Sequence, residues 1–417
     1  MKPTPPQGPE KILVDATPDA HELPLSGRRA FIFVLALILV ALNLRPALSS
    51  LAPVLKFVQA GTGLSGTAAG LLTTVPVLCL GLFAPLAPRL AQRFGPERVV
   101  FWVLLVLACG VALRGALGAS GLFAGTVLAG ASIGIIGVLL PGIVKREFPT
   151  QAALMTGVYT MALCLGAALA AGLTVPLQFH FSNDWRYALA LWAMPAVIAA
   201  LCWWPYRDLA LPAPGPRTSA RSPLWRQPLA WQVTLFMGLQ SSLAYCVFGW
   251  LPSILQDRGA SAAESGAYLS GSVMVQVLSA LGAPWLSGFF RDQRPMIALM
   301  VMLTLAGLLG SLYAPPETLW WWMVVLGLGQ GGAFSMALSL IVLRTPTPGM
   351  AAQLSGMVQG FGYTLASLGP LFVGVIHEAA QSWKPVGLLF IGIAGGALLL
   401  GLFAGRDRLL DDSSSAA

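Results

Sequence analysis

The chain has 417 residues, of which 56% are hydrophobic and 10% charged, with a mean hydropathy of +0.76. Soluble domains average about 45–50% apolar and 25% charged residues, so this composition excludes an ordinary soluble domain and describes a membrane protein. The formal net charge of +8 comes from Lys and Arg scattered in short segments between apolar runs, which is the distribution of membrane loops and not of a nucleic-acid-binding patch.

Residues 1–27 are Pro-rich and polar and are expected to form a cytoplasmic tail. The apolar run that follows is too long for a signal-peptide core and has no small-residue cleavage site after it, so it is expected to stay as a transmembrane helix. Runs long enough to cross a hydrocarbon core of about 30 Å predict helices near 30–55, 65–88, 97–118, 121–144, 151–176, 186–205, 229–253, 264–289, 295–314, 318–343, 350–376 and 384–404. An even number of spans puts both chain ends on one side. Tails and loops on that side hold eighteen Lys and Arg, while Lys56, Arg186, Arg258 and Lys384 are the four on the other. The excess of positive charge makes both termini cytoplasmic. Trp203 and Trp204 at an inner boundary, and Trp320, Trp321 and Trp322 at an outer one, fit the preference of amphipathic rings for the interface.

The polar segment 206–228 divides the spans into six-helix bundles at 28–205 and 229–405, with a cytoplasmic tail at 406–417. A shift of 199 residues relates the two bundles. It aligns Pro53 with Pro252, Ala84-Pro85 with Ala283-Pro284, Lys145 with Arg344, Pro149 with Pro348, Ala152 with Ala351 and Gly157 with Gly356. Tandem six-helix halves in one orientation are an architecture of secondary transporters, which place substrate near the midplane between the halves.

Arg45 interrupts an apolar run that extends from Ala30 to Lys56. At about 1.5 Å per residue it lies about 24 Å beyond Arg29 and about 16 Å before Lys56, out of easy reach of either surface. Holding Arg near a bilayer centre costs about 2.5–3.5 kcal/mol on insertion scales, which calls for a polar cavity. Its counterpart at the repeat offset is Ala244, so a structural need common to both halves does not account for it. All sixteen acidic residues fall in tails, loops or helix ends. With no mid-span carboxylate or histidine, a cation site or a titrating proton relay loses ground, and an uncompensated guanidinium suits a small anion. Arg114, followed by Gly115 and Gly118, is expected to snorkel to the outer interface.

The five cysteines lie in five separate apolar segments, His21 lies in the amino-terminal tail, and His180 and His377 are placed in outer loops. None has the spacing of a metal site, so no metal and no cofactor are expected. Gly327, Gly329, Gly331 and Gly332 read as close-packing positions, because no Lys-Ser/Thr follows to make a phosphate loop.

Several strings carry a family resemblance: Leu42-Asn43-Leu44-Arg45-Pro46-Ala47, residues 139–149 (LLPGIVKREFP), residues 156–162 (TGVYTMA) and residues 327–332 (GLGQGG). They are similar to the cyanate and nitroimidazole transporters of the major facilitator superfamily, and the resemblance extends from Arg28 to Arg408. It implies an all-α membrane protein of twelve helices in two pseudo-symmetric bundles, multi-pass in a bacterial inner (plasma) membrane. The chain departs from the pattern at Gln92, where the superfamily carries Asp, and at Gly137, where the family carries Asn. The first departure weakens a cytoplasmic charge lock. The second alters the helix 4 side of the cavity.

The resemblance points a set of polar and aromatic residues inward around Arg45: Asn43, Thr73, Tyr159, Gln240, Ser241, Tyr245, Gln276, Gln330, Gln359 and Tyr363. Each taken alone reads first as an interhelical hydrogen-bonding group. As a set they form the expected substrate site, with Arg89, Arg93, Lys145, Arg146 and Arg344 expected to gate it. The expected function is alternating-access transport of a small anion, cyanate-like or a small organic acid. Proton co-transport, exchange and uncoupled flow remain open as modes. An exporter of neutral or weakly acidic nitroaromatic compounds is the alternative. A membrane sensor or an intramembrane enzyme is remote, because neither a signalling domain nor a catalytic cluster is visible.

Overall fold

In the computed structural model the described residues are 27–148, 152–207, 224–346 and 348–410. The expected tails, up to residue 26 and from residue 411, and linker residues 208–223 lie outside them. Regular structure among the described residues is helical throughout, and twelve helical stretches are long and apolar enough to cross a membrane.

The first span is three helices, α1 (Gly27–Leu42), α2 (Pro46–Ser49) and α3 (Leu51–Thr62). The second is α4 (Gly66–Phe83) with α5 (Leu86–Phe94). Then come α6 (Pro96–Leu113), α7 (Gly118–Glu147), α8 (Ala152–His180), and the sixth span as α9 (Trp185–Leu191) with α10 (Ala193–Trp203). The seventh to tenth are α11 (Pro228–Asp257), α12 (Ala262–Ser287), α13 (Arg294–Tyr313) and α14 (Leu319–Leu343). The eleventh is α15 (Pro348–Ala366) with α16 (Leu368–Ala380), and α17 (Val386–Ala404) is the twelfth.

Every expected span is present, with two differences of consequence. The first span is not one continuous helix. Pro46 has no N–H to donate to the Leu42 carbonyl and its ring crowds that position, so the helix breaks ahead of it. Asn43 and Leu44 donate instead to Val40 and Ala41, at 3.1 and 3.0 Å, in tight three-residue turns. This shift frees the Leu39 carbonyl, which the Asn43 side-chain amide takes at 2.7 Å while also reaching Pro195 O on α10 at 3.1 Å. The Leu42 carbonyl faces Gly166 of α8 so closely that a Cβ there would sit 2.0 Å from it. Second, the eleventh span ends at Ala380, so His377 lies on its last turn and not in a loop, stacked on Trp383 with ring centroids 3.7 Å apart.

The first six spans pack together through α1 on α8 and α4 and α6 on α7, and the last six through α12 and α13 on α14 and α11 and α13 on α17. Between the groups, α8 meets α12, and α4 runs along α15 and α16. The end of the bundle opposite the chain termini, here the far end, is tied across the groups by polar contacts. Lys56 pairs with Asp257 at 2.5 Å, Gln256 donates to Pro53 O at 3.1 Å, and the Thr67 backbone N–H and hydroxyl both donate to Glu378. Gly70 and Gly374 let the backbones of α4 and α16 close beside them. Toward the terminal end, Pro141 and Gly142 on α7 are exposed, and a side chain added at Gly142, Gly356 or Gly360 would meet nothing within 4 Å.

Candidate functional site

Arg45 occupies the last position of the broken turn, immediately before α2, with φ −117° and ψ −26°. Its own carbonyl accepts the Leu48 and Ser49 N–H groups that start the next helix. The break therefore presents the side chain from a backbone that no continuous helix would give. The guanidinium carbon lies 5.3 Å from the Phe248 ring centroid on α11 and 6.0 Å from that of Phe334 on α14. The hydroxyls of Tyr245 and Tyr363 and the Cys164 thiol are within reach of its charge. Tyr245 and Tyr363 meet edge to face at 6.1 Å, and Tyr159 lies within electrostatic range of Tyr363. Four spans from both groups thus converge on the cation of the first.

The energetics of this convergence are uneven. A cation over an aromatic face gains about 0.5–2 kcal/mol, while withdrawing an ion from water costs several kcal/mol even after relaxation. Among the described residues no carboxylate pairs with Arg45. Its guanidinium is half-buried.

The structure brings Tyr245 and Tyr363 to Arg45, with Tyr159 beside Tyr363, and commits other expected residues to helix contacts. The Asn43 amide is spent on the two carbonyls at the break. Gln240 donates to Ser241 Oγ at 2.8 Å and to Met237 O, Gln359 to Ser355 Oγ at 3.0 Å, and Gln276 to Gln330 Oε1 at 3.1 Å. Gln330 keeps a buried side-chain N–H₂ with no partner among the described residues. Thr73 donates back to Gly70 O.

Two of the expected gating cations, Arg146 and Arg344, bind within their own group of spans. Arg146 pairs with Glu97, which is fully buried, and with Glu147 at 2.8 Å. Burial works against the charge of Arg146, and the two carboxylates outweigh it and raise its pKa. Arg344 is 2% exposed and donates to Ala404 O at 2.9 Å, Gly405 O at 3.1 Å and the Gln293 side chain. Burial lowers its pKa, with Asp407 and Asp292 opposing. Arg89 and Arg93 are exposed on α5, Arg93 lying over the Phe94 ring. The Lys145 side chain is outside the described residues.

The snorkelling expected of Arg114 does not occur. It is 1% exposed, turned inward, and donates through Nη1 to Ala47 O at 2.9 Å. The carbonyl end of α6, which it caps, favours a cation there, and the glycines after it serve close packing, since a Cβ at Gly115 would fall 2.4 Å from Arg186 O. Phe248, Phe334 and the contacts Lys56–Asp257 and Thr67–Glu378 also went unread. For Lys56 and Asp257 a signal existed, because they follow the repeat-related prolines Pro53 and Pro252 by about one helical turn.

The described residues thus form a helical bundle with twelve stretches able to cross a membrane and a cation held at a helix break. The Major Facilitator Superfamily profile matches residues 30–370, and the chain belongs to that family. It is 39% identical over 391 residues to the uncharacterized transporter YycB of Bacillus subtilis (strain 168), covering 92% of this chain and 96% of that one. It is 34% identical over 390 residues to the 2-nitroimidazole transporter of Escherichia coli (strain K12), with 92% and 98% covered. To the cyanate transport protein CynX of the same organism it is 33% identical over 351 residues, with 84% and 91% covered. Among solved structures, a D-xylose-proton symporter superposes with a TM-score of 0.71 at 14% identity, over 91% of this chain and 98% of that one, which shows the shared fold.

Proposed function

We propose that this chain is a secondary transporter, active or facilitative, that carries a small anion, cyanate-like or a small organic acid, by alternating access. Arg45 would be the anion's partner. The carrying observation is its position at a helix break between the two groups of spans, half-buried, with aromatic rings about it and no carboxylate partner among the described residues. Tyr159, Tyr245 and Tyr363 would supply hydroxyl donors and an apolar wall that shapes selectivity. The 33% identity to a cyanate transport protein supports this substrate class.

The charge count supports a cytoplasmic side for both termini, and the tied far end would then be the outer one and the arrangement inward-open. The contacts Lys56–Asp257 and Thr67–Glu378 would then break when the halves rock to expose the site outward.

A second reading has its own support. Phe248, Phe334, Tyr245 and Tyr363 make a wall on which a flat ring stacks, and the chain is 34% identical to a 2-nitroimidazole transporter. Counterflow by purified protein in proteoliposomes separates the two. Cyanate and small carboxylates are expected to exchange, and Arg45→Ala to abolish that exchange while leaving a monodisperse folded protein in detergent. Normal anion flux in Arg45→Ala removes the guanidinium from the mechanism. Flux of neutral nitroheterocycles that survives the substitution favours the second reading.

A further inference from the structure

Arg114 sits on a small cavity of its own. Its walls are Ala47, Leu48 and Leu51 from the first span, Thr73, Pro76 and Val77 from α4, Thr126 from α7, and Tyr245, Phe248 and Gly249 from α11. The room inside is about that of one water molecule. Arg114 Nε and Nη2 and the Thr126 hydroxyl are buried and have no partner among the described residues. The side-chain polar groups on the wall are the Arg114 guanidinium and the hydroxyls of Thr73, Thr126 and Tyr245, with no carboxylate. A buried guanidinium satisfied by one carbonyl keeps an unbalanced charge at a cost of several kcal/mol, and a water molecule answers the N–H groups without answering the charge.

We propose that Arg114 and Thr126 form a second anion site, separate from Arg45, that takes one halide-sized inorganic anion. Such an ion fills about the volume of one water, accepts from several N–H and O–H donors at once and neutralises the guanidinium in place. Phe248 is a wall common to the two sites, since it lines this cavity and also carries the Arg45 guanidinium over its ring. The site depends on burial and donor geometry at Arg114 and stands whether or not Arg45 binds cargo.

The test uses full-length protein crystallised in sodium bromide, with anomalous scattering to locate the ion. A bromide peak in contact with Arg114 and on the Thr126 side is expected in wild type and in Arg45→Ala, and is expected to vanish in Arg114→Gln. In parallel, wild type and Arg45→Ala are expected to melt higher in bromide than in gluconate, whereas Arg114→Gln melts alike in both. If Arg114→Gln does not fold, wild type alone decides. A cavity holding only water, or bromide confined to the protein surface, overturns the proposal. A peak that disappears in Arg45→Ala assigns the ion to the first site and overturns it as well.

Discussion

Arg45 and Arg114 are both guanidiniums inside an apolar bundle, and their surroundings differ. Arg45 is half-buried, beside two phenyl rings and within reach of two tyrosines. Arg114 is sealed, with one carbonyl partner. If Arg45 holds the cargo through a planar fork of donors, Arg45→Lys keeps the charge and loses the two-point geometry. Charge-assisted hydrogen bonds contribute about 1.5–3 kcal/mol each, so the apparent affinity for cyanate is expected to fall about ten- to hundredfold while the protein stays folded. Competition by unlabelled cyanate in the counterflow assay measures this. An unchanged affinity in Arg45→Lys would mean that the fork is not what the anion reads.

At the scale of the element, the first span shows how a short string makes a helix break with a cation at it. Proline at 46 breaks the helix, asparagine at 43 caps the freed carbonyl, and the arginine between them is set at the gap. The neighbour must cooperate: Gly166 admits α8 against the Leu42 carbonyl, where any side chain would collide. Overpacking of this kind costs about 1–3 kcal/mol, so Gly166→Val is expected to lower the detergent melting temperature and impair transport. Gly395 on α17 is the control, since it is exposed and a Cβ there meets nothing within 4 Å. Gly395→Ala is expected to leave melting unchanged or raise it slightly, by up to about 1 kcal/mol of helix propensity.

For the whole molecule, the polar ties between the two groups gather at the far end. If Lys56–Asp257 is part of a latch that opens in each cycle, its sign matters and its orientation does not. Lys56→Asp alone sets two carboxylates against each other and is expected to slow counterflow severalfold. The exchange Lys56→Asp with Asp257→Lys is expected to restore most of the rate. A swap as poor as the single substitution would make the contact a packing detail with no part in the cycle.

Span number, span type and the singular position of Arg45 were legible in the chain because they follow from local quantities: run length against bilayer thickness, charge against hydrocarbon, and proline against the helix ladder. Tyr159, Tyr245 and Tyr363 were named as inward residues from the resemblance; Tyr245 and Tyr363 lie within reach of the Arg45 charge, and Tyr159 lies near Tyr363. What the chain could not disclose is partnership. Asn43, Gln240 and Gln359 are polar residues in apolar helices like the tyrosines, and only the folded neighbours decide that their amides are spent on carbonyls and hydroxyls. Arg114, a few residues from a predicted interface, had an exit to water by sequence distance alone. Packing turned it inward, because the glycines that follow bring the sixth span over that exit and the Ala47 carbonyl waits on the other side. Hydropathy is a property of a segment, whereas satisfaction of a buried donor is a property of the segments packed around it.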